Sequence, residues 1–126
     1  MFKNKISILG DIEDEITNTG FKIAVNIDRR VILETPVDTA SAKASWLVTI
    51  GSSTTAKVDE DGGNTGVAAS KAIQDGANKC RQFKSGDVLY IQNNQPYIEK
   101  LNQGTSAQAP AHYIDDIIVQ EVNRAD

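Results

Sequence analysis

Apolar residues recur at helical spacing through Ile12, Ile16, Ile23, Ile27 and Val31, which predicts a long N-terminal helix from Asp11 to Glu34. Asp11 is placed to cap it. Glu13, Asp14 and Glu15 put negative charge on the first turn, and Arg29 and Arg30 put positive charge near the end, both favourable to the helix dipole. Gly20 interrupts the pattern and marks a kink or a break, costing about 1 kcal/mol relative to alanine. Thr35 and Pro36 stop the segment, because proline lacks the helical N–H and drives the preceding residue out of helical geometry. Asp38 and Thr39 then offer cap oxygens to a short turn, ASAKAS.

The period then changes to two. In WLVTI, Trp46, Val48 and Ile50 point one way and Leu47 and Thr49 the other, as in a half-buried strand. Ser52 to Gly66 is polar with a central Gly-Gly, and reads as a flexible loop. VAASKAIQDGANKC is a helix whose face of Ala69, Ala72, Ile73, Gly76, Ala77 and Cys80 is made mostly of small side chains, suited to close packing. VLYIQ is apolar on both faces, which predicts a central strand. Asn93 and Asn94 end it. Pro96 opens a short helix, PYIEKLNQ, with Tyr97 and Leu101 on one face, and Gly104 supplies a left-handed stop. TSAQAP is an extended link, and Pro110 opens a C-terminal helix with Ile114, Ile117, Ile118 and Val122 on one face. The expected fold is α+β: a small, mostly antiparallel sheet packed against helices, in one domain spanning 1–126. The loop after Ser52, or the segment before Asp11, is expected to supply any further strand.

Net charge is −4, without the lysine and arginine excess of a protein that grips nucleic acid by its phosphates. Cys80 is the single cysteine, so no intramolecular disulfide and no ordinary structural zinc site is expected. No apolar run approaches the roughly 20 residues needed to span a bilayer, and no signal-peptide core is evident. The expectation is a protein made and kept in the cytoplasm, or in something assembled there.

Candidate chemistry is thin. His112 is the single histidine; Asp38, Asp115 and Asp116 are possible partners, but no G-x-S-x-G elbow supplies a nucleophile. Asp59, Glu60 and Asp61 beside Gly62 and Gly63 lack the alternating ligand spacing of a calcium loop. GGNTG lacks the phosphate-loop lysine. Tyr90 and Tyr97 near Lys100 are a weak base-stacking cluster in an acidic chain, better read as packing. The expectation is a non-enzyme with no catalytic residue, cofactor or metal.

Two segments together are more specific. TPVDTASAKASW, from Thr35 through Pro36, Val37, Asp38 and Thr39 to Trp46, resembles the TPVDTG…W signature of the head–tail joining, or tail-completion, proteins of tailed double-stranded DNA phages. LYIQNNQPYIEKLNQGTSAQAPAH resembles that family's second signature through Asn93, Asn94, Pro96, Tyr97, Leu101, Gly104, Gln108, Ala109 and Pro110. Ala40 stands where the family usually has glycine. Of its usual arginines before the tryptophan only a lysine, Lys43, remains. The resemblance implies a structural virion protein of the neck, assembled in the host cytoplasm. It would form a homo-oligomeric ring, a hexamer, against neighbouring neck and tail-tube proteins, with genomic DNA passing through the lumen unbound. A tail terminator capping the tail tube is the alternative within that class. A small cytoplasmic enzyme or ligand-binding module with a polar pocket around His112 is one alternative outside it, and a nucleic-acid regulator is another.

Overall fold

The computed structural model describes residues 2–9, 14–36, 40–56, 65–84, 86–104 and 109–124. Among them the chain forms β1 (Lys5–Leu9), α1 (Asp14–Glu34), α2 (Ala40–Ala44), β2 (Trp46–Ile50), α3 (Thr65–Cys80), β3 (Val88–Asn93), α4 (Ile98–Asn102) and α5 (Tyr113–Arg124). This is an α+β fold. Its first element is a strand, so the long helix does not lead the chain, and the further strand comes from the segment before Asp11. Asp11, Ile12 and Glu13 lie outside the described residues.

The sheet has the order β1-β3-β2, and both pairings are antiparallel. β3 is central, as its two apolar faces require. Registers of Ile6 with Ile91 and of Val48 with Ile91 put Ile6, Ile8, Leu89, Ile91, Asn93, Trp46, Val48 and Ile50 on one face. That face meets Ala24, Ile27, Val31 and Ile32 of α1 and Ile114 and Ile117 of α5 in a single core. Lys5, Ser7, Tyr90, Leu47 and Thr49 occupy the other face, where the Lys5 ammonium lies 5.5 Å from the Tyr90 ring centre.

Helix α1 runs unbroken through Gly20. The glycine answers a packing need: a Cβ there would stand 3.2 Å from the Phe83 ring. Helix α5 lies antiparallel to α1, since Thr35 meets Tyr113 while Arg30 meets Glu121. Its buried face is rotated from the apolar stripe. Val122 is 47% exposed, whereas Glu121 is buried and accepts from Arg30 at 2.8 Å. The guanidinium lets a carboxylate take an inward position that hydrophobicity alone would assign to valine.

Three boundaries also move. Gly66 belongs to α3, so the loop after β2 is shorter than its polarity implies. Pro96 precedes the Tyr97 cap of α4 instead of starting the helix. Pro110 precedes α5 by a turn at Ala111 and His112, with His112 itself at φ 62°. Gly104 does adopt the left-handed conformation, at φ 96°, and a Cβ there would come within 2.9 Å of Ala111.

Candidate functional site

The two segments that carry the resemblance, remote in sequence, meet at the end of α1. Thr35 is 1% exposed and its hydroxyl donates to the Val31 carbonyl, so its single proton is used. Trp46 Nε1 donates to the Thr35 hydroxyl oxygen at 2.9 Å, and the Tyr113 hydroxyl lies 3.2 Å from it. With the threonine proton committed, Tyr113 must be the donor. Burial pushes its phenol above the ordinary range, which keeps that proton in place. One hydroxyl thereby joins α1, β2 and α5 with its full capacity spent. Pro36 follows, buried, and Trp46 packs its ring 5.7 Å from that of Phe2.

Lys43 on α2 serves the same corner from the other side. Its ammonium donates to the carbonyls of Ile32 and Leu33, each at 2.8 Å, where α1 has run out of its own donors. A cation at a helix C-terminus also opposes the dipole. Burial lowers its pKa.

The paired asparagines point to opposite sides of β3. Asn93, buried, donates to the Ala42 carbonyl at 2.9 Å and accepts from the Gln95 N–H at 3.1 Å. Gln95 then donates to Ser45 at 2.9 Å. Asn94 faces outward and donates to the carbonyls of Thr54 and Ala56 at 2.9 and 2.8 Å. Gln92 completes that outer clamp. Its amide accepts from the Thr54 N–H at 2.7 Å and donates to the Thr54 carbonyl at 2.8 Å, as a neighbouring strand would. The start of the loop, 52–56, is therefore fastened to the sheet, while 57–64 lie outside the described residues.

A further cluster of hydrogen bonds ties the segment after β3 to the N-terminal segment. Asn102, at the end of α4, accepts from the Ile114 N–H at 2.9 Å and donates to Asp115 at 2.7 Å. Asp115 also accepts from the Phe2 N–H at 2.7 Å. Burial works to raise this carboxyl, but the bonds from Asn102 and Phe2 outweigh it and hold it below its ordinary value. The His112 N–H donates to the Asn102 carbonyl.

Thr35, Pro36, Trp46 and Asn93 are thus drawn into one buried corner. Asn94 lies on the outer face above it. Leu101 packs in the core with Ala109, and Tyr97 packs against it, half-buried. Pro96 and Pro110 are exposed at turns. Val37, Asp38, Thr39 and Gln108 lie outside the described residues. Sequence reasoning missed Gln95, Asn102 and Tyr113, found no role for Lys43, and offered Asp115 only as a partner for His112. The available signal was polar residues at the ends of apolar segments, where orphan backbone groups must be met.

As chemistry the arrangement offers little. His112 Nδ1 is 3.8 Å from Asp115, whose oxygens are already engaged. Among the described residues no group of three or more acidic, histidine or cysteine side chains could hold a metal ion. No described helix is long and apolar enough to cross a membrane. A groove of about 400 Å³ runs between β2 and α3, lined by Trp46, Val48, Ala68, Ala72 and a Lys71–Asp75 ion pair, and His112 does not line it. No family model, curated protein or solved structure matches this chain.

Proposed function

We propose that this chain is a structural protein of a tailed-phage neck, closing with copies of itself into a sixfold ring at the head–tail junction. The observation that supports the reading is the corner itself. Both segments that resemble the tail-completion signatures converge there; Thr35, Lys43 and Asn93 spend their polar groups on backbone carbonyls, and Trp46 and Gln95 spend theirs on the hydroxyls of Thr35 and Ser45. Such residues serve shape. A closed ring of identical copies needs this, because a head-to-tail contact matches one surface of each copy to a different surface of the next.

Among the described residues the large exposed apolar side chains lie on helices: Leu33 on α1, Val67 on α3, Val119 and Val122 on α5. They are available for contacts between copies or with neighbouring neck and tail-tube proteins. A net charge of −4 suits a lumen that duplex DNA passes without adhering. Electron microscopy of a lysate lacking this gene tests the proposal. Filled heads beside unattached tails of normal length are expected. Overlong tails would assign the chain to tail termination instead, since an uncapped tube keeps growing. Intact infectious particles would refute both.

A further inference from the structure

Asp28 is buried on α1 at the seam with α3, 2% exposed, and its Oδ1 has no hydrogen-bond partner among the described residues. Its other oxygen lies against Gly76 so closely that a Cβ there would come within 2.0 Å of it. The same Cβ would meet Val48 of β2 at 3.3 Å. One turn along α3 is Cys80, fully buried.

Among the described residues no cation faces this carboxyl from the elements packed on it. Its neighbours one turn away on α1 are Ala24, Val25, Val31 and Ile32. From α3 the titratable group facing it is the Cys80 thiol. Asp75 and Lys79 lie along the groove beside β2, with Asp75 paired to Lys71. β2 carries no charged residue. Burial raises Asp28 to about 8, and burial together with Asp28 raises Cys80 to about 12.

Helix α3 meets α1, α2 and β2 mainly through small side chains. Its buried face is Ala68, Ala69, Ala72, Gly76 and Cys80, side chains that each remove little apolar area from water. Lifting it exposes less apolar area than lifting a helix faced with isoleucine, such as α5.

We propose that the Asp28–Gly76 contact is a proton-dependent latch, which holds α3 against α1 while the carboxyl is neutral and releases α3 as it ionises, leaving the sheet and the α1–α5 pair in place. The inference is independent of the neck reading. Opening exposes Asp28 to water, where its pKa returns to that of a free carboxyl. The open fraction then grows about tenfold per pH unit from about pH 5 to 7.5 and levels off above 8.

Cys80, the single thiol of the chain, is the probe. Its rate of reaction with a disulfide reagent such as DTNB is measured on the full chain and divided by that of free cysteine at the same pH. The normalised rate should climb about tenfold per unit in the native protein and stay flat in Asp28→Asn, with the infrared band of the antiparallel sheet unchanged in both. A second variant, Gly76→Ala, forces a methyl against the carboxyl and should label rapidly even at pH 5. Equal slopes in the native chain and Asp28→Asn, a flat native profile, slow labelling of Gly76→Ala at pH 5, or loss of the sheet band along with the thiol's protection would each overturn the latch.

Discussion

At the end of α1 Thr35 is buried and its one hydrogen and both lone pairs are engaged; two turns earlier Asp28 is buried as deeply with an oxygen that has no hydrogen-bond partner among the described residues. The difference lies in what approaches. Thr35 is met by side chains long enough to bring a donor, Trp46 and Tyr113. Asp28 is met by Gly76, which brings only backbone, and by a buried thiol. A satisfied polar cluster fixes one geometry, because each partner loses a bond if it moves. A buried carboxyl without partners stays neutral or pushes its surroundings apart. One region therefore sets the shape of the molecule, and the other sets where it yields.

Substitutions in the corner should be the costliest. Trp46→Ala removes the largest buried side chain and the indole bond to Thr35, and should lower stability by about 4 kcal/mol in denaturant titration. Thr35→Val keeps the volume but leaves the Trp46 and Tyr113 donors without an acceptor. It should cost about 3 kcal/mol, far beyond the change in apolar area.

At the seam the sign reverses. Asp28 has a folded pKa of about 8 against an ordinary value near 4, so its contribution is fully present below about pH 4 and is lost as pH rises to 8. The native chain should be most stable in mild acid, as far as this group decides. Asp28→Asn should flatten that slope and gain about 2 kcal/mol at pH 7, less than the full shift because the amide stays unpaired. Thermal melts of both proteins at pH 5, 7 and 8 would measure it.

On the outer face the effects shrink. Asn94→Ala frees the loop start from a half-exposed anchor and should cost under about 1 kcal/mol, with faster proteolysis after Thr54 as its clearer readout. Val119→Glu should leave stability within about 0.5 kcal/mol while weakening ring formation, measured by light scattering.

The sheet was legible because its signal is local. β3 announced its central place by being apolar on both faces, and β2 by alternation. The small-residue face of α3 predicted close packing, and Gly76 delivers it. What the pattern could not show was anything decided by a distant partner. Val122 sits on the apolar stripe yet is exposed, because Arg30 on another helix brings Glu121 inward. Asn102 reads as an ordinary last-turn residue, but it caps a different helix, α5. The paired asparagines were visible as a stop; that one holds α2 and the other a loop depends on which face each takes. Asp28 fell one position from Ile27 in the helical stripe and gave no hint that burial would leave it unpaired.

The most direct test of the claim that the signature residues act through shape is to compare virion yield with folding stability across corner variants. A strain lacking this gene would be complemented by Trp46→Phe, Thr35→Val, Thr35→Ser, Lys43→Met and Asn93→Ala, and each purified chain melted. Yield should fall in step with stability, on one curve for all variants. A variant as stable as the native chain that nevertheless leaves heads and tails unjoined would show that a corner side chain does chemistry or makes a contact of its own, and would contradict the account.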